Sequence, residues 1–543
     1  MKKFFVYLLV IVLAVSLGFT VFYLVRDNEI ISISSASIYK DAGESFSIDI
    51  NHANKKSYTT IQISTSNANV VSYDSKSNTF TAKSGGVARV NFRTSNAKFR
   101  NLWCDVIVGD GTVESPYYIS TPEQLSSIGM GAPVLKDGVE TGVYYGSTKY
   151  NERYVNYQSD KCYKLVNDID VKSINEGGYW IPLRNFSGRF DGNGLSISNI
   201  TIDRAGYVNA CKDIKDYDFS LFPEGLANGG LFQKIMPKAN VYNLKIDNYT
   251  AQGNFVNFGV LAGENQGNIE RIEIKNAYVG VNAGYMGGIV GKNISSDEGE
   301  GETYQRNIAR IDRCSINLTV GKKYVIIDDN QKEITCGIGG VFGGIAGVNE
   351  GGTIVYSYAK GKVSFKDDSS SIVYGGIVGQ NARKAMTLPQ GTYKSVMQGA
   401  CIKDCYADIE TNFESQISSG LYAGAIGINE DSTIGKYTED GKTDEDVVSN
   451  YLIGIYYNKE SLNISQTGIT KGFKGVGKFV FNSNIINFDD TKMIVYGYTY
   501  DDMKIADNYL SHISQEADPE FDENGESKGI KTTTIKRIWW RQT

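Results

Sequence analysis

Apolar and polar residues alternate through much of the chain. Ser45-Phe46-Ser47-Ile48-Asp49-Ile50 keeps a strict period of two, the mark of a strand with one buried face. Ile61 and Ile63 continue the pattern, then Ala88, Val90 and Phe92, and Cys104, Val106 and Val108 close it. Gly85-Gly86 places a turn between Phe80 and Val87. About seven short strands over residues 28–108 predict a small β-sandwich.

From residue 109 the alternation gains a longer period. Gly287-Gly288-Ile289-Val290-Gly291-Lys292-Asn293 recurs as Gly343-Gly344-Ile345-Ala346-Gly347-Val348-Asn349 and as Gly375-Gly376-Ile377-Val378-Gly379-Gln380-Asn381. Weaker copies end at Asn265 and Asn429, and Asn228-Gly229-Gly230-Leu231-Phe232 begins the series. The steps between the repeated Asn residues are 28, 56, 32 and 48. A base period of 28 with polar insertions follows, the insertions falling at Ser295 to Gln305, Lys323 to Glu333 and Thr438 to Glu445. A second β-run follows each Asn, as in Ile311-Asp312-Arg313-Cys314-Ser315-Ile316 and Ile402-Lys403-Asp404-Cys405-Tyr406-Ala407. Such a unit cannot bury its inner face alone, whereas units stacked at ~4.8 Å bury it and pair the backbone along the stack. The repeated Gly is expected to serve corners with positive φ. The repeated Asn is expected to form a structural ladder, tolerating a left-handed backbone at a corner.

One segment breaks the β pattern. Lys2 and Lys3 precede an uncharged apolar run from Phe4 to Val25, closed by Arg26-Asp27-Asn28-Glu29. As a helix it would be roughly 33 Å long, enough for a ~30 Å hydrocarbon core. The basic flank would leave the rest of the chain outside. The expectation is a signal-anchor over residues 1–27, with a cleaved signal peptide as the alternative. The corresponding location is a single-pass cell-membrane protein with its bulk extracellular, or a secreted one if the segment is cleaved.

Composition narrows the chemistry. Lys plus Arg number 55 against 61 Asp plus Glu, a formal charge of −6, which argues against a nucleic-acid partner. His52 and His512 are the only histidines, which leaves little for multi-His metal centres or His-based triads. His52 is expected to be a solvated loop residue. Seven Cys are sparsely spaced and do not suggest a disulfide framework. Cys314 and Cys405 occupy equivalent repeat positions and read as small core residues. Glu520-Phe521-Asp522-Glu523-Asn524-Gly525 begins like a calcium loop, but Lys531 stands where the bidentate Glu belongs. That stretch reads instead as a hairpin turn. Residues 456–543 read as β-rich rungs or a cap, with Trp539 and Trp540 packed on the last rung.

Two resemblances add to this reading. Ser64 to Ser72 and Phe80 to Val90 resemble the bacterial group 2 Ig-like domain, with Ile63 where that family often has Trp. The resemblance implies a spacer or adhesion module without catalytic residues. The Gly-rich repeats resemble the GLUG repeat of bacterial surface proteins. The entry segment Gly109-Asp110-Gly111-Thr112 with Ser115 to Leu125 fits as well, as do Trp180 to Leu183 and Phe186 to Ile202. There Thr121 can cap a short helix with Gln124 in the capping-box place. This resemblance implies a right-handed parallel β-helix over residues 109–455, with adhesion or scaffolding as its role. GLUG repeats also accompany a secreted metallopeptidase, but His-Glu-x-x-His is absent here.

The fold expected is all-β: an N-terminal helix, an Ig-like sandwich and a parallel β-helix. The function expected is adhesion or ligand binding at a cell surface, toward a glycan or a protein, with a stalk or envelope-assembly subunit as the alternative. A polysaccharide lyase or hydrolase is a third reading, for which Asp191, Asp203 and Asp404 qualify by residue type only. No catalytic, cofactor-binding or metal-ligating residue is nominated.

Overall fold

The computed structural model describes residues 29–96, 98, 102–129, 133–136, 139–144, 156–173, 180–203, 228–298, 305–321, 325–327, 333–335, 340–365, 372–386, 396–413, 420–429, 438–439, 442–443 and 451–458. Beyond these it describes 497–498, 516–521 and 527–533. The described chain is all-β apart from short helical pieces, and it divides into two compact units, Met1–Tyr118 and Ile119–Thr543.

In the smaller unit, strands Ser37–Asp41, Leu102–Gly109, Gly86–Thr94 and Ile61–Thr65 form one sheet. Ser45–Phe46, Thr79–Ala82 and Val71–Asp74 form a second. The alternating residues of the sequence are the shared core: Phe46, Phe80, Ala88, Val90, Phe92, Cys104, Val106 and Val108 are buried together. Strands Ile30–Ile33 and Ile50–Ala53 pair separately. His52 lies on the second of these and is not a solvated loop residue. Its Nε2 bonds the carboxylate of Glu29, which also accepts from Thr59 Oγ1 at 2.9 Å and Asn96 Nδ2 at 2.9 Å.

The larger unit is built of parallel strands. Asn240–Gly259 and Asn268–Gly287 pair in register with a 28-residue offset, Asn240 on Asn268 through Gly259 on Gly287. One row can be followed through eight strands: Lys164, Asp191, Tyr242, Glu270, Asp312, Val355, Lys403 and Ile453. At ~4.8 Å per step its seven steps span roughly 34 Å. A second, six-stranded parallel sheet carries Phe232–Ile235, Ala262–Asn265, Val290–Ile294, Ala346–Glu350, Val378–Ala382 and Ile426–Asn429. Aromatic rings of Tyr163, Phe186, Phe190 and Phe232 fill the first passes. Ahead of them, Thr121 caps the helix Pro122–Ser126 through a reciprocal capping box with Gln124.

The repeated Asn residues form a ladder inside the stack. Asn265, Asn293, Asn349, Asn381 and Asn429 are all fully buried. Each amide nitrogen donates to the next amide oxygen, at 2.8, 2.8, 2.9 and 2.8 Å in turn. Asn265 also accepts from the Gly267 amide at 3.1 Å and donates to its carbonyl at 3.1 Å, closing the turn. These Asn residues are not in the left-handed region. The expected left-handed Asn corner exists elsewhere, at Asn199, Asn248 and Asn276, with φ of 62°, 51° and 51°.

The repeated Gly has a different cause from the one expected. Gly288, Gly344 and Gly376 carry no positive φ. A Cβ on each would lie 2.1 Å from the carbonyl oxygen of the next Gly in the row, namely Gly344, Gly376 and Gly424. Close approach of successive backbones, rather than a turn, selects glycine there. The polar insertions carry antiparallel hairpins: Ser296–Glu298 with Gln305–Asn307, Val325–Ile327 with Glu333–Thr335, and Thr438–Glu439 with Lys442–Thr443. The calcium-like stretch lies at a hairpin too, Glu516–Phe521 with Ser527–Thr533.

The single-pass anchor is corrected. Among the described residues no helix is long and apolar enough to cross a membrane. Residues 1–27, on which that location rested, lie outside the described residues, as do Trp539 and Trp540.

Asn349→Ala tests the ladder. It leaves the Asn293 amide and the Asn381 carbonyl buried without each other's link, at a cost of about 3 kcal/mol. Urea titration of the variant should show that loss, and one below about 1 kcal/mol would mean the ladder does not hold the stack. Glu29 gives a pH prediction. The His52 bond lowers its pKa from 4.5 to about 2, so the folded chain binds this proton more weakly than the unfolded chain does. The contribution is complete above the unfolded value and is lost as pH falls toward 2. The protection factors of the Ile50–Ala53 amides, taken against the intrinsic exchange rate at each pH, should therefore fall below pH ~4, and Glu29→Gln should flatten that response.

Candidate functional site

Four successive passes of the larger unit kink their backbone at one register position. Asn243, Arg271, Arg313 and Tyr356 stand there with φ of 55°, 53°, 53° and 52°. Asn tolerates this left-handed geometry, whereas Arg and Tyr adopt it at a cost of roughly 1 kcal/mol or more. On the inner side, one position later, come Leu244, Ile272, Cys314, Ser357 and Cys405. The polar members close the kink. Cys314 Sγ donates to the Asp312 carbonyl at 3.2 Å, Ser357 Oγ to Val355 at 2.8 Å and Cys405 Sγ to Lys403 at 3.3 Å. This explains the equivalence of Cys314 and Cys405. Burial pushes the Cys314 thiol up to about 12.

On the outer side the kinks line an open cavity of about 480 Å³. Asn193 and Gly194 come from the first contributing pass and Asn243, Leu244 and Lys245 from the second. Arg271, Ile272 and Glu273 come from the third, and Arg313 and Ser315 from the fourth. Glu270 holds two of the cations together, since Arg271 Nη1 and Arg313 Nη2 both donate to its Oε1. Arg271 Nε also donates to Asn243 Oδ1. Arg313 Nη2 reaches Asp312 Oδ2 at 3.3 Å, and Arg310 Nη2 reaches the same oxygen at 2.9 Å. Glu273, the lining carboxylate, binds Lys275 at 2.8 Å, and that bond raises the Lys275 pKa. Nearby, the Ser196 amide and hydroxyl hold the Asp168 carboxyl below its usual range, with Lys245 adding a smaller push.

The arrangement can donate hydrogen bonds from two fixed guanidinium groups and an exposed Lys245 ammonium. Asn193, Asn243 and Ser315 supply neutral polar groups beside them. It presents no nucleophile with an adjacent base, and the described residues contain no group of three or more potential metal ligands.

Among the carboxylates named by residue type, Asp191 stands far along the stack from the strand position of Asp404. Asp191 lies in the followed row, bound to Lys164 Nζ at 3.6 Å. Five ladder steps separate it from Lys403, the neighbour of Asp404, or roughly 24 Å. Asp203 pairs in register with Gln252 and accepts from its side chain. A carboxylate pair of the kind used for glycoside cleavage needs ~5–10 Å. The groove residues themselves went unrecognised in the sequence. Arg271 and Arg313 are 42 residues apart, and only the fixed step of the ladder aligns them.

No family model matches this chain. Halomucin of Haloquadratum walsbyi is 27% identical over 234 residues, covering 39% of this chain. The chain spans 2% of the length of that relative. A solved structure of a candidate immunoglobulin A1 protease from Bacteroides ovatus aligns with 78% of this chain and 94% of its own, at 16% identity and a TM-score of 0.32. A likeness at that score carries no argument.

The Cys314 environment yields a direct test. Thiol alkylation of the native chain at pH 8, read by peptide mass mapping, should leave Cys314 unmodified while denatured chain is labelled fully. Labelling of native Cys314 at the denatured rate would contradict the buried kink.

Proposed function

We propose that this chain is an extracellular, surface-type protein that binds a glycan or protein ligand through the outer face of a right-handed parallel β-helix. The smaller unit is read as an Ig-like sandwich and the larger as a GLUG-type helix. The observation that carries the proposal is the groove over the kink row. Four passes of chain place side chains around one cavity, and two of its cations are held side by side by Glu270. The buried Asn ladder supports it, because a rigid stack holds such a groove with little ordering cost on binding. The likeness to halomucin sits well with an extracellular setting.

A structural stalk is the second reading, favoured by the same ladder, which would stiffen a rod whether or not anything binds its face. Polysaccharide cleavage has weaker support, since five ladder steps lie between Asp191 and the strand position beside Asp404.

The test is binding of the purified full chain to an array of glycans and matrix proteins. Saturable binding by monomers is expected. Self-association with no binding on the array would instead favour the stalk.

A further inference from the structure

We infer that the groove over the kink row is a binding site for an acidic saccharide, one carrying carboxylate or sulfate groups. The inference rests on the ligand-binding reading and names its ligand class. It begins from charge. The chain as a whole is acidic, at −6, and a polyanion would be repelled by its average surface. The groove lining departs from that average in the cations it presents. Lys245, Arg271 and Arg313 line it beside one lining carboxylate, Glu273, which is bonded to Lys275; Glu270 and Asp312, outside the lining, pair with the two guanidinium groups.

The second observation is the backbone. Arg271 and Arg313 occupy left-handed positions at φ of 53° each. Asn243 fills the preceding position of the same row, at φ of 55°, with the residue type that suits it. Arg at the next two positions adds conformational cost where Asn would remove it, and what it gains is a guanidinium on the outer side. Glu270 and Asn243 then fix those guanidinium groups laterally.

The third observation is unspent capacity. A guanidinium carries five N–H donors. Arg271 uses Nε and one on Nη1, and Arg313 uses those on Nη2 and directs Nε to Asp312 at 3.3 Å. Both side chains stay accessible, at 46% and 39% of full exposure. The remaining N–H groups, on Nη1 and Nη2 of Arg271 and on Nη1 of Arg313, suit the oxygens of a carboxylate or sulfate. Asn193 and Ser315 lie within reach of sugar hydroxyls in the same cavity. At about 480 Å³ the cavity takes two or three sugar rings rather than a long chain.

The experiment uses the full chain and three polymers of one backbone: dextran, carboxymethyl-dextran and dextran sulfate. Binding is followed by calorimetry at low and high salt. The native chain should bind one or both charged polymers, at least tenfold more tightly than dextran, and should weaken as salt rises. The double variant R271N/R313N should lose at least tenfold in affinity for the charged polymers. Asn suits the left-handed backbone, the lost ion pairs are half-exposed and Arg310 still pairs with Asp312, so this variant should stay folded and melt close to the parent, which separates loss of the site from loss of the fold. The two charged polymers tell carboxylate from sulfate. Equal binding of charged polymer by parent and variant would overturn the site. Preference for dextran, or for a protein on the array alone, would overturn the acidic ligand while leaving the ligand-binding reading intact. Absence of binding to all three polymers and to the array would overturn both.

Discussion

The larger unit depends on one constraint: successive passes of chain must land on one another in register, at ~4.8 Å, although they differ in length. A strand slipped by one residue would turn its inner face outward. Passes separated by 28 residues in one place and 56 in another cannot keep register by counting. They keep it by side-chain recognition at one point per pass. Each buried amide of the Asn ladder must find the next, since a buried amide without a partner carries a penalty comparable to a lost hydrogen bond. The row of close glycines does the same through sterics, because any Cβ there would meet the carbonyl of the next pass. Attraction at the Asn and exclusion at the Gly select the same register, and insertions are free to leave between those points as hairpins.

That division explains what could be read from the sequence. The ladder was legible because identical residues recur at a fixed offset from a Gly-rich core, and Asn293, Asn349 and Asn381 each follow the same pattern. The capping box at Thr121 and Gln124 was legible because its chemistry is local. The role of the glycines was misassigned, since the sequence shows that Gly is required but not whether φ or space requires it. His52 was misread for a related reason, because its partner Glu29 is 23 residues away, just ahead of the strand that pairs with its own. The apolar run Phe4 to Val25 suggested a membrane span by composition alone, and no described helix has that character.

The groove was illegible for a physical reason. Asn243, Arg271, Arg313 and Tyr356 share a backbone conformation but not one common residue type, so alignment by identity passes over them. The inner row behind them hides equally well. Ile272, Cys314, Ser357 and Cys405 occupy one line in space, and only the thiols hint at equivalence. Both rows become visible once the Asn ladder fixes which residue stacks on which. The side chains that read as ordinary surface charge along the chain then fall into columns.

A stack of this kind separates two demands that compete in most folds. The inner rows settle stability, through amides, small residues and apolar side chains that tolerate little change. The outer positions of the same strands contribute little to that core, so their chemistry can vary from pass to pass without disturbing register. The kink row lies between these regimes. Its left-handed backbone favours Asn, as at Asn243, yet Arg is present at two successive steps and Tyr at the next. A residue that opposes its own backbone preference on an exposed face gains nothing for the core. What Arg271 and Arg313 gain at these positions is polar contact with Glu270, Asn243 and Asp312, within and across neighbouring passes, and a pair of guanidinium groups aligned on the outer side.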